Sequence, residues 1–87
     1  SIVGFIAQNH AAYSTNTIGR DAAIGAQAQL QQAQITAFAG YPLLLEETLI
    51  GVLAVFSHEA LSPLVQTTLG TIATQLAIAI DRVWARD

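Results

Sequence analysis

Apolar and polar positions divide the chain into an ambiguous opening, a glycine-punctuated middle, a hairpin and a long helix. Residues 35–45 (ITAFAGYPLLL) and 49–57 (LIGVLAVFS) are apolar runs of strand length, joined by Glu46, Glu47 and Thr48. They predict two strands of one hairpin. Pro42 has no N–H for a ladder and forces Tyr41 into an extended conformation, so a break is expected at Gly40–Pro42. No glycine stands in the turn for a primed two-residue connection, so a longer loop built on a type I turn is expected. The second run is apolar at nearly every position, which predicts burial on both faces.

Ser62-Pro63 marks a helix start, because serine caps the first turn and proline is preset for the first helical position. Val65, Leu69, Ile72, Leu76, Ala79 and Val83 then recur at spacings of four and three. A second apolar line runs through Leu64, Ala73, Ala77, Ile80 and Trp84. So wide a stripe predicts a helix that touches its own sheet and something else. Asp81 to Asp87 contains neither Gly nor Pro, so the helix reads as cut, not finished. Upstream, residues 1–9 suit a short helix or a strand. Residues 11–18 suit a short strand entering a loop, and 19–25 (GRDAAIG) a turn or irregular loop. From Ala26, AQAQLQQAQ predicts a short, weakly amphipathic surface helix.

Composition narrows the function classes. The 87 residues allow one domain. They are 53% hydrophobic and 10% charged, against roughly 25% charged in an ordinary soluble domain. Lysine is absent, the cations are Arg20, Arg82 and Arg86, and the net charge is −3. A chain so poor in cations lacks the footprint of a nucleic-acid binder and the basic face of a lipid-surface helix. Without cysteine there is no disulfide, thiolate metal site or cysteine nucleophile, which fits a cytoplasmic location. The most apolar helical stretch, Thr71 to Ile80, is interrupted by Thr74 and Gln75, so no membrane span is expected.

Catalytic motifs are missing: there is no G-x-S-x-G, H-E-x-x-H, P-loop or G-x-G-x-x-G. His58-Glu59 and Glu46-Glu47 read as solvated turns, not as ligand or acid–base pairs. No enzyme activity and no metal site are expected. A small-molecule pocket is better placed, with Tyr13, Asn16, Arg20, Asp21, Phe38 and Tyr41 as candidates. Arg20 offers two parallel donors to a phosphate or carboxylate; the simpler reading is a local Arg20–Asp21 surface pair. Phe38 reads as core, and Tyr41 as core or pocket. Leu69, Ile72, Leu76, Val83 and Trp84 are the candidate dimer contacts, with packing under the sheet the competing role for Trp84.

The stretch from Ile35 to Arg86 resembles the GAF domain family. ITAFAGYPLLLEETLIGVLAVFSHEALSP followed by LVQTTLGTIATQLAIAIDRV carries the likeness. Pro42-Leu43, the acidic turn, and Gly51-Val52-Leu53 match the family pattern in order and spacing. VGFIAQNHAAYSTNTI resembles the family's opening helix and strand, with Asn16 where a polar or acidic residue closes that strand.

The resemblance implies an α+β fold, an antiparallel sheet backed by helices on one face and closed on the other over a small-molecule pocket. It implies a sensory or regulatory, non-enzymatic role in a multidomain signalling protein. A small effector, a homodimer through terminal helices, and a downstream output domain such as a histidine kinase are the implied partners; no cofactor is named. Family members run to about twice this length. Residues 1–87 are therefore expected to be a single domain lacking its first helix and first two strands, with the 49–57 strand a bare edge. A ligand-free dimerisation module is the alternative.

Overall fold

The two apolar runs form the backbone of the fold. The computed structural model describes residues 1–86. Its elements are α1 (Ile2–Asn9), β1 (Tyr13–Thr15), a 3-10 turn (Ile18–Arg20), α2 (Gln27–Gln32), β2 (Ala37–Leu45), β3 (Thr48–Ser57) and α3 (Pro63–Trp84). The strands make one antiparallel sheet in the order β1-β2-β3, and the fold is α+β as expected. Asp87, the last residue of the expected uncapped helix, lies outside the described residues.

Two details of the hairpin differ from the expectation. β2 runs unbroken through Pro42, which faces Val52 of β3. The ladder tolerates this proline because β1 ends opposite Gly40, leaving β2 a partner on one side only at Pro42. The connection is also shorter than expected. Leu45 pairs with Thr48, so Glu46 and Glu47 alone make the turn. Glu46 adopts a positive φ of 56°, as the first central residue of a primed two-residue turn does. A register shift between Leu43 and Leu44 pairs them with Gly51 and Leu49, so Ile50 is the extra residue of a bulge.

Alternation along β2 builds the layers. Ala37, Ala39, Tyr41 and Leu43 face α3, where they enclose Ala73, Ala77 and Leu61. Small residues on both sides let the helix lie close to the sheet. The serine cap is present, with Val65 N–H donating to Ser62 Oγ at 3.1 Å. On the opposite face Phe38 meets Ile2 and Ile6 of α1, together with Ile18 and Ile24. That contact decides the ambiguous opening in favour of helix. Ile2 and Ile6 lie one turn apart on one face, and Ser1 Oγ caps the helix by accepting from Gly4 N–H.

β3 departs furthest from its pattern. None of its residues is buried, and Phe56 is 47% exposed. It pairs with β2 and, among the described residues, with no strand on its outer edge. The expected burial on both faces is absent, while the expected open edge is found, with no charge or proline along it to discourage further pairing.

Candidate functional site

A cleft of about 590 Å³ opens between the end of β1 and α2. It is built on segments that the sequence leaves irregular. After β1, Thr17 N–H donates to Thr15 Oγ1 at 3.1 Å and turns the chain. Ile18 then plugs the core beneath Phe38, while its N–H donates to Thr36 O at 3.1 Å. Arg20 follows, exposed on the cleft wall.

The loop that carries Arg20 is braced from two sides. Gln27 Nε2 donates to the carbonyls of Ile18, Asp21 and Ile24 at 2.8, 3.0 and 3.0 Å. The Asp21 carboxylate accepts from Tyr13 O–H through Oδ2 and from Ala23 N–H at 2.9 Å through Oδ1. Its hydrogen bond with Asp21, aided by desolvation, holds the Tyr13 phenol above its ordinary pKa. Both Asp21 oxygens thus carry hydrogen bonds that brace the loop.

Asn16 has a different role. Its Nδ2 donates to Leu61 O at 3.1 Å, and its Oδ1 accepts from Leu61 N–H at 2.8 Å. Leu61 immediately precedes the Ser62 cap of α3. Gln66, on the first turns of α3, extends the link. Its Nε2 donates to the same Leu61 carbonyl at 2.9 Å, its Oε1 accepts from Ser14 Oγ at 3.1 Å, and its backbone carbonyl accepts from Tyr41 O–H at 2.8 Å. The rim of the cleft is therefore hydrogen-bonded to the start of the long helix.

The six pocket candidates do not converge on one cavity. Asn16 and Arg20 line the cleft, and Tyr13 and Asp21 support its loop from behind. Phe38 is fully buried core, its ring 5.0 Å from that of Phe56. Tyr41 lies on the other face of the sheet, against α3, where burial pushes its phenol up. Gln27, Gln31, Gln34 and Thr36 also line the cleft, and none of them is among the candidates that the sequence offers. Gln27 and Gln31, four residues apart, share one face of α2, whereas Gln34 lies beyond the end of that helix with φ 60° and no periodicity marks it.

Of the dimer candidates, Leu69 packs at the margin of the core under α3. Ile72, Leu76 and Val83 are exposed on the stripe they share with it, and Trp84 is 57% exposed. By length and composition alone α3 is also apolar enough to cross a membrane, which the interruptions at Thr74 and Gln75 had argued against. Its small-residue face is nevertheless docked on β2. Among the described residues no group of three or more His, Cys, Asp and Glu is arranged to hold a metal.

Two solved structures share this architecture. The GAF domain from a phosphoenolpyruvate-protein phosphotransferase of Coxiella burnetii is 19% identical, with a TM-score of 0.82 over 97% of this chain and 51% of its own. The GAF domain region of a putative membrane protein from Geobacter sulfurreducens PCA is 22% identical, with a TM-score of 0.81 over 93% and 56%. The chain thus spans about half the length of the structures it resembles. No curated protein sequence matches it significantly. The profile of the GAF domain matches residues 5–81, taking in both faces of the sheet, the cleft and most of α3, and the chain belongs to the GAF domain family.

Proposed function

We propose that the chain is a sensory domain of a cytoplasmic signal-transduction protein, and that it takes a small-molecule effector in the cleft and passes occupancy to α3. GAF domains are generally sensory or regulatory. The observation that carries the finer reading is the reciprocal Asn16–Leu61 hydrogen-bond pair. It joins the cleft rim to the residue before the α3 cap, so a ligand that moves the rim also biases the helix start. The chain itself performs no chemistry in this reading. A downstream output domain such as a histidine kinase reads α3, and two copies pair through the exposed stripe of that helix.

The route is tested by hydrogen exchange on Asn16→Ala. Exchange is expected to quicken both in residues 16–20 and in residues 61–70, while the β2–β3 ladder keeps its protection. Faster exchange confined to residues 16–20 defeats the route. A thermal-shift screen of small metabolites addresses the ligand-free alternative, since a ligand that binds the folded state raises its stability. A wholly flat screen favours the dimerisation module.

A further inference from the structure

We infer that the cleft selects a small oxyanion, a carboxylate or a phosphate, whose polar body is read by the amides of Gln31 and Gln34. This rests on the effector-cleft reading above and adds the ligand class to it.

Three observations lead there. The first is charge. Arg20 is the only cation before residue 82, and it supplies the one formal charge on the cleft wall. The Asp21 carboxylate beside it in sequence is engaged by Tyr13 and Ala23. The planar guanidinium fork, exposed on the cleft wall, has the geometry to hold a bidentate oxyanion. The second is rigidity. The three carbonyls held by Gln27, and the Ile18 N–H bond to Thr36, fix the loop on which Arg20 stands. A braced platform lowers the ordering cost of binding.

The third is the glutamine wall. Gln31 and Gln34 are exposed and line the cleft opposite that loop. Gln34 adopts φ 60°, a conformation in which glycine is the unstrained choice. The same left-handed backbone occurs at His10, Ala26 and Glu46, so at Gln34 it marks a position where glycine can remove the amide without straining the backbone. An apolar ligand would strand these amides without partners, whereas a polar body satisfies them.

The 15N-labelled chain is titrated with succinate, with inorganic phosphate and with neutral succinamide, following backbone amide shifts. Saturable shifts at Ile18–Arg20 and at Gln31–Gln34 are expected with at least one anion and not with succinamide. Binding of succinate alone identifies a carboxylate ligand, and binding of phosphate alone a phosphorylated one. Arg20→Gln is expected to weaken the binding anion by about tenfold or more. Gln34→Gly is expected to weaken it severalfold while raising the melting temperature, a combination that a purely structural glutamine does not produce. Equal binding of succinamide, no saturable binding of either anion, or unchanged affinity in either variant overturns the inference. Binding that passes all these tests while the Asn16→Ala exchange result fails removes the relay to α3 and leaves the ligand class standing.

Discussion

Ile6 of α1 lies directly over Gly40 of β2, with Ile6 Cδ1 and the Phe38 ring where a Cβ on Gly40 would project. The glycine is the hollow in the sheet that receives the helix. Both side chains filling it are fully buried, so neither has free space to move into. Gly40→Ala is expected to cost about 1–3 kcal/mol through overpacking. Chemical denaturation checks the loss, and an unchanged midpoint would show that α1 yields.

Much of this fold is legible in the sequence because its strongest signals are local. Ser62-Pro63 starts α3 where capping chemistry places it, and the two apolar runs pair as a hairpin. What failed depended on neighbours. Pro42 looked like a break because its effect on a ladder depends on whether a second strand lies beside it. The apolar run of β3 overstates the burial of its faces, because apolar content does not reveal what covers a face, whereas its open outer edge agrees with the expectation drawn from the family likeness. The site was half legible for the same reason. Arg20 and Asn16 were visible as polar residues near a loop. That Tyr41 turns to the opposite face from Phe38 followed from strand alternation, and the expected break at Pro42 obscured it. The cleft's glutamines were hidden by their ordinary surface composition.

Glu46 is one of four non-glycine positions, with His10, Ala26 and Gln34, where the backbone is left-handed. Its φ of 56° costs a residue with a Cβ about 1–2 kcal/mol, and glycine loses part of that advantage through its freer unfolded chain. Glu46→Gly is therefore expected to stabilise the chain by up to about 1 kcal/mol. Thermal unfolding reads the gain, and a loss of stability would mean that the carboxylate supports the turn.

Both tyrosines are expected to ionise above their ordinary value of 10.0, Tyr13 through its hydrogen bond with Asp21 and Tyr41 through burial. The folded state then holds each proton more tightly than the unfolded state. The resulting stability is fully present below the unfolded pKa and is lost as pH rises through the raised folded values. Alkaline titration of phenolate absorbance should show both midpoints displaced upward, and Asp21→Asn should return Tyr13 toward the ordinary value. A normal midpoint for Tyr13 in the unmodified chain would show that the Asp21 contact does not persist in solution.

The apolar stripe of α3 resolves into two adjacent seams with the same spacing. Gln66, Gly70, Ala73, Ala77 and Ile80 follow one seam, and its small residues dock on β2. Val65, Leu69, Ile72, Leu76, Ala79 and Val83 follow the other, with Val65, Ile72, Leu76 and Val83 exposed. Alternating steps of four and three give a period of 3.5, the spacing at which one helix seam packs on a copy of itself. Because the second seam, unlike the first, is left largely uncovered by the sheet, the chain is expected to sediment as a dimer. Replacing Ile72 and Leu76 together by glutamate should weaken that dimer by about a hundredfold or more, since desolvated apolar anchors carry most interface energy and buried unpaired charge is costly. Both positions are exposed in the single chain, so its fold should survive the change. Ala77→Leu on the docked seam should instead destabilise the monomer by about 1–3 kcal/mol. A monomeric parent chain, or a dimer indifferent to the paired glutamates, would assign the exposed seam to some other partner.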